Sequence, residues 1–149
     1  MAEVSLSAGE LLAHIIPFQF LSSMQRLELV RRLEKRKFRD GDYIVRAGDR
    51  SRELFLLACG QVEIVERDHE PPRSIIEPGH YFGERAALFD SPREVSVRAR
   101  GEVWLYALPA VDFLRLVDRN PIFSQAMANS LTVKQGIFLG YRRLWARIL

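Results

Sequence analysis

The chain has 149 residues, 48% of them hydrophobic and 28% charged, with a net charge of +3. A chain of this size is one domain and buries about 68–70% of its unfolded surface, which excludes a disordered polymer and removes any need for disulfides or a structural metal. The single Cys59 excludes an internal disulfide and suits a reducing, cytoplasmic setting, and no apolar run approaches the ~20 residues of a membrane-spanning helix.

The N-terminal part predicts helices. Ser7 with Glu10 reads as a capping box opening a helix through Leu11, Leu12, Ile15 and Ile16, which Pro17 stops. Ser22 with Gln25 repeats the device and opens a second helix whose apolar side is Met24, Leu27, Val30 and Leu33. The basic run Arg31-Arg32-Glu34-Lys35-Arg36-Lys37 follows at helical spacing, as a solvated face. These helices are assigned residues 1–37.

From Phe38 to Leu108 the period changes to two. Short β-rich stretches (Tyr43-Ile44-Val45, Leu54 to Ala58, Gln61 to Glu66, Ser74 to Glu77, Glu94 to Ala99, Val103 to Leu108) alternate with turn signals at Asp40-Gly41, Ala47-Gly48-Asp49, Gly60, Pro71-Pro72, Pro78-Gly79 and Gly101. The fold expected is mainly β with flanking helices: an antiparallel β-roll or jelly-roll over 38–108. Pro109 then opens a helix carrying Val111, Phe113, Leu114, Leu116 and Val117. After Asn120-Pro121 a last helical stretch places Phe123, Met127, Leu131, Phe138, Tyr141 and Trp145 near one face, so 109–149 reads as a pair of hinge and lid helices.

Common catalytic signatures are missing: the sequence has no G-x-x-x-x-G-K-[ST], H-E-x-x-H, G-x-S-x-G or C-x-x-C. His14, His69 and His80 lack metal-ligand spacing. The basic clusters, including Arg142-Arg143-Arg147, come without a recognition helix or an aromatic platform for nucleic acid. These features point away from an enzyme and from a DNA-binding protein.

The segment with chemistry in it is Pro78-Gly79-His80-Tyr81-Phe82-Gly83-Glu84-Arg85-Ala86-Ala87-Leu88-Phe89-Asp90-Ser91-Pro92-Arg93. Gly83 lets the backbone approach a ligand closely. The helical turn that starts at Glu84 presents unpaired N–H groups suited to phosphate, and Arg93 can add charge-assisted hydrogen bonds to its oxygens. Glu84 can accept from a ribose hydroxyl. A phosphate and a ribose side by side make a nucleotide.

Phe82-Gly83-Glu84-x-Ala86-Ala87-Leu88 with Ser91-Pro92-Arg93 resembles the phosphate-binding cassette of cyclic nucleotide-binding domains, the sensors of cAMP-dependent protein kinase, cyclic nucleotide-gated channels and catabolite activator proteins. Phe38-x-x-Gly41-Asp42-x-Ile44, Ala47-Gly48-Asp49 and Leu54-Phe55-Leu56-x-x-x-Gly60-x-Val62 fall in the same order as in that family. The resemblance implies a cassette over 82–95 in which Glu84 takes the ribose 2′-hydroxyl and Arg93 the cyclic phosphate. Backbone N–H groups around Gly83, Ala86 and Glu94 complete the phosphate cage. Ile64, Ile76 and Phe82 match positions lining the base, with Phe138 or Tyr141 closing over it; for these five, plain core packing is the competing role.

Two residues depart from the family. Arg85 stands where an apolar residue is usual, and Glu94 where Ala, Ser or Thr follows the phosphate arginine. A carboxylate ~4 Å from a phosphate at an effective dielectric near 20 costs about 4 kcal/mol, so Glu94 is expected to face solvent or to pair with Arg85, Arg73 or Arg98. In that family a hydroxyl at this position helps many members hold guanine, and Glu94 supplies none, so the resemblance implies cAMP over cGMP as the ligand. The output expected is a regulated domain or partner protein reached through the C-terminal helices. The competing roles are a ligand-free interaction module, including a homodimer, and a pocket for a neutral nucleoside. Replacing Arg93 by Ala is expected to cost at least tenfold in cAMP affinity and little stability.

Overall fold

The computed structural model describes residues 6–66 and 71–135, with side chains to residue 129. The chain opens on helix α1, Ala8–His14, with Ser7 as its cap: the Ser7 Oγ accepts from the Glu10 amide at 3.2 Å. Leu11 and Leu12 are fully buried. The helix ends at His14, before the expected Ile16, because Ile15 is already extended (ψ 123°). Ile16, in the turn before Pro17, is half exposed. A 3-10 turn, Phe18–Phe20, then buries Phe18.

Helix α2, Ser23–Val30, carries the full capping box, Gln25 N–H to Ser22 Oγ at 3.1 Å and Ser22 N–H to Gln25 Oε1 at 2.9 Å. Its buried anchor is Leu29, which the apolar spacing did not single out; Met24 and Leu27 are 78% and 57% exposed. Two turns resting on α1 cover only a narrow stripe, so half of the apolar side stays in solvent. Ser22→Ala should cost about 1 kcal/mol, read as a lower urea midpoint at unchanged slope; an unmoved midpoint would mean that this helix end contributes nothing to the cooperative unit.

The basic run departs from its helical expectation. Glu34–Phe38 is strand β1, antiparallel to β6, Ser96–Leu108, from Glu34↔Ala107 to Phe38↔Val103. Pairing wins because alternation serves every side chain: Lys35 and Lys37 set their ammonium groups 4.2 and 4.7 Å from the Trp104 ring centre, while Phe38 packs on the roll core. The lysines also blunt what is otherwise an exposed sheet edge. The helices before the roll therefore end before residue 34, not at 37.

Strand β2 is Tyr43–Val45, and β3, Leu54–Val65, runs unbroken through Gly60, just as β6 runs through Gly101. Both glycines were expected to divide strands. Instead β3 pairs β6 from Leu54↔Leu108 to Val65↔Ser96, with irregularities around Cys59. Gly60 sits at φ +80°, and a Cβ there would run into the Glu102 carbonyl, so the glycine lets two long strands bend past each other. Short strands flank each end of this pair: β4, Ser74–Ile76, and β5, Tyr81–Phe82, on β3, with β1 and β2 on β6. All pairings are antiparallel. The fold is the expected mainly β architecture, an antiparallel roll with flanking helices.

Alternation along β3 makes two cores. Leu54, Leu56 and Ala58 face the helices, while Phe55, Leu57 and Val62 fill the roll with Val97, Val103 and Leu105. Helix α3, Glu84–Phe89, follows β5; α4, Ala110–Arg119, and α5, Pro121–Gln135, follow β6. Phe123 of α5 packs edge-on against Phe18 (5.3 Å) and Phe113 (6.3 Å), and the Tyr81 hydroxyl donates to Met127 Sδ at 3.4 Å. No helix among the described residues is long and apolar enough to cross a membrane.

Candidate functional site

The site grows from the end of β5. Phe82 is in register with Phe55 and stacks on it at 5.1 Å; the chain then turns through Gly83 at φ +91° into α3. This glycine is required twice over: an L side chain rarely adopts that φ, and its Cβ would stand 2.7 Å from Arg93 Nη1 and 3.0 Å from the Glu53 carbonyl oxygen. Helix α3 is six residues long and is held from its far end. Arg52 donates to the Ala87 carbonyl at 2.9 Å and pairs with Asp90 at 3.3 Å, and Asp90 closes the turn at φ +51°.

Arg93 is fixed through its backbone and its side chain. Its amide donates to the Asp49 carbonyl and its carbonyl accepts from Gly48 N–H, both at 2.8 Å, which ties it to the turn after β2. The residue as a whole is only 7% exposed. Its Nη2 donates to the Glu53 carbonyl at 2.8 Å, Nη1 to the Gly83 carbonyl at 3.2 Å and Nε to Ser51 Oγ at 3.3 Å. Burial lowers the Arg93 pKa from its ordinary value, and the carboxylates of Glu53, Asp49 and Glu84 work against that shift. The group stays a cation, held ready for an anion.

Arg93 opens onto a cavity of about 330 Å³, the size of a small-ligand pocket. The expected residues that fall within the described part of the chain all line it: Ile64, Ile76, Phe82, Gly83, Glu84, Arg85, Ala86, Arg93 and Glu94. Phe138 and Tyr141 lie outside the described residues. Glu84, on the first turn of α3, is buried at 4% exposure. Opposite the cassette stand Ile64 and Ile76 on adjacent strands, in register through Val62↔Ile76 and Ile64↔Ser74. Phe82 is 4% exposed and belongs as much to the roll core as to the cavity wall.

Of the fates open to Glu94, pairing with Arg85 is the one realised, at 3.2 Å with both side chains largely exposed. Arg98 is taken by Glu63 at 2.9 Å and Arg73 by Glu66 at 3.3 Å. The two departures from the family pattern therefore neutralise each other at the cavity wall.

Val45 and Val97 also line the apolar wall, and Ser51 and Glu53 hold the arginine. The valines carried a signal in their strand alternation. Ser51 and Glu53 carried none, since what they offer is one hydroxyl and one backbone carbonyl brought in by the fold.

A family model described as "Cyclic nucleotide-binding domain" matches residues 35–120, from β1 to the end of α4. A cAMP-dependent protein kinase regulatory subunit of Emericella nidulans is 35% identical over 117 residues, 78% of this chain and 27% of that protein. A cyclic nucleotide-gated potassium channel of Rhizobium etli is 32% identical over 127 residues, 85% of this chain and 35% of that protein. The chain thus spans about a quarter to a third of the length of these relatives. Among solved structures, the regulatory domain of Toxoplasma gondii PKA with cAMP superposes at a TM-score of 0.69 and 19% identity, over 95% of this chain and 56% of that one. The matched span contains the roll, the cassette and the whole cavity: the chain belongs to the cyclic nucleotide-binding domain family.

Proposed function

We propose that this domain is a regulatory module that binds cAMP in preference to cGMP and passes the signal through its C-terminal helices to a downstream domain or partner protein. One observation carries the reading: a buried guanidinium, a buried carboxylate and the start of α3 converge on one cavity whose other wall is aliphatic. Arg93 and the first N–H groups of α3 meet the cyclic phosphate, Glu84 accepts from the ribose 2′-hydroxyl, and the purine lies on Ile64, Ile76, Val45 and Val97. Arg85, paired with Glu94, offsets its charge toward the phosphate. Since Glu94 brings no hydroxyl to guanine, adenine is the favoured base.

The output has a physical route. Tyr81 and Phe82 are neighbours on β5 and face opposite ways: Phe82 lines the cavity, and Tyr81 holds Met127 of α5. A ligand that repositions the end of β5 therefore acts on α5, and it can bias that helix only by its differential affinity for the two positions.

The test is calorimetric titration with cAMP, cGMP and adenosine. Micromolar or tighter cAMP binding, weaker cGMP and silent adenosine are expected. Silence from all three would overturn the reading in favour of a ligand-free interaction module, and adenosine alone would make this a nucleoside pocket. In the same assay Glu94→Ala should leave cAMP affinity equal or tighter, because Arg85 is then free to face the phosphate; a marked loss would give Glu94 a direct role in holding the ligand.

A further inference from the structure

We infer that Arg36, which is not among the residues lining the cavity, is a positioning residue for the anion-binding Arg93 and acts through Glu53. The inference rests on the proposed role of Arg93 as the phosphate ligand. Glu53 immediately precedes β3 and faces both ways. Its backbone carbonyl accepts from Arg93 Nη2 at 2.8 Å. Its carboxylate is gripped on the other side by both terminal nitrogens of Arg36, at 2.9 and 2.5 Å, in a fork-on-fork pair. Arg36 is itself set by β1, in register with Leu105 of β6, and Glu34 adds a contact to it at 3.2 Å. Both side chains of the pair are more than two-thirds buried.

This relay has a geometric and an electrostatic part. Clamping the Glu53 side chain fixes the peptide whose carbonyl orients Arg93. The same carbonyl lies against Gly83, 3.0 Å from where a Cβ would stand, so its position also bounds the cassette. Of the carboxylates that act on Arg93, Glu53 is the strongest, ahead of Asp49 and Glu84. Left uncompensated, it competes with an incoming phosphate for the same guanidinium. Arg36 supplies the compensation, and the pairing with Glu53 and Glu34 in turn raises the Arg36 pKa above its ordinary value. The basic run of β1 thus contributes one residue to the ligand site without touching the ligand.

A charge-balancing role predicts that affinity falls and recovers by more than the melting midpoint does, whereas a merely structural salt bridge moves the two together. Cyclic AMP is titrated against the wild type, Arg93→Ala, Arg36→Gln, Arg36→Lys and the double variant Arg36→Gln/Glu53→Gln, with the melting midpoint of each ligand-free protein read in parallel. Arg36→Gln is expected to weaken binding about tenfold, and the double variant to recover to within about threefold of wild type, because the competing acid leaves with its base. Arg36→Lys, which keeps the charge without the fork, should fall between. Arg36→Gln binding like wild type, or a double variant as weak as the single, overturns the inference where Arg93→Ala has lost affinity. Full affinity in Arg93→Ala overturns the phosphate role itself, and the relay with it.

Discussion

Arg93→Ala is expected to weaken cAMP binding about 100-fold, ~2.7 kcal/mol, within the range measured for hydrogen bonds to charged groups. Among the described residues the guanidinium is the one cation buried on the cavity wall, and its orientation is already fixed by three protein oxygens. Little ordering cost then remains when a phosphate arrives. The structure changes the second half of the expectation drawn from the sequence, that stability would be spared. Removing the side chain takes the donor from the Glu53 carbonyl, and an unsatisfied buried acceptor costs about 1–3 kcal/mol. A loss of about 2 kcal/mol by urea denaturation is therefore expected beside the loss of affinity. Adding saturating cAMP should raise the melting midpoint of the wild type and leave that of the variant nearly unmoved. An equal ligand-induced rise in both would remove Arg93 from the phosphate site.

Gly83→Ala is the second large effect. Placing an L residue in the left-handed region costs about 1–2 kcal/mol, and here the new methyl also meets Arg93 Nη1 at 2.7 Å and the Glu53 carbonyl at 3.0 Å. The Glu53 carbonyl is backbone next to β3 and the arginine tip is the end of a flexible side chain, so the tip is expected to move. A loss of cAMP affinity of at least about tenfold is expected on top of the strain. Gly79→Ala is the matched control: its φ is +89°, but the nearest atom to the added methyl is Leu6 Cδ1 at 4.0 Å. It should lose similar stability and keep its affinity. If both variants bind alike, backbone strain accounts for everything and the close approach to Arg93 has no functional weight.

How much of this was legible in the sequence differs by element. Both serine caps were, because a cap is a contact over three residues and both partners are adjacent in the chain. The cassette was, because glycine, carboxylate, small-residue turn and arginine lie within about a dozen consecutive positions. Strand β1 was not: Glu34-Lys35-Arg36-Lys37 suits a solvated helix face as well as a strand edge, and only Trp104 and the free edge of β6, some 70 residues away, decide between them. The continuity of β3 and β6 was hidden for a related reason. A glycine that permits a bend and a glycine that makes a turn have the same local signature, and the difference lies in the Glu102 carbonyl opposite Gly60.

The sequence by itself determined the class of the fold, the residues of the cassette and the charges they carry, since all of these are set by spacing within a few residues. Only the tertiary structure decided where those charges point. It turned Arg93 inward onto the Glu53 carbonyl, matched Glu94 with Arg85, and brought Arg36 from the first strand to balance the acid behind the site. Each of those outcomes is a Coulombic or hydrogen-bonding choice among several partners of the same type, and proximity in the folded chain is what selects one of them.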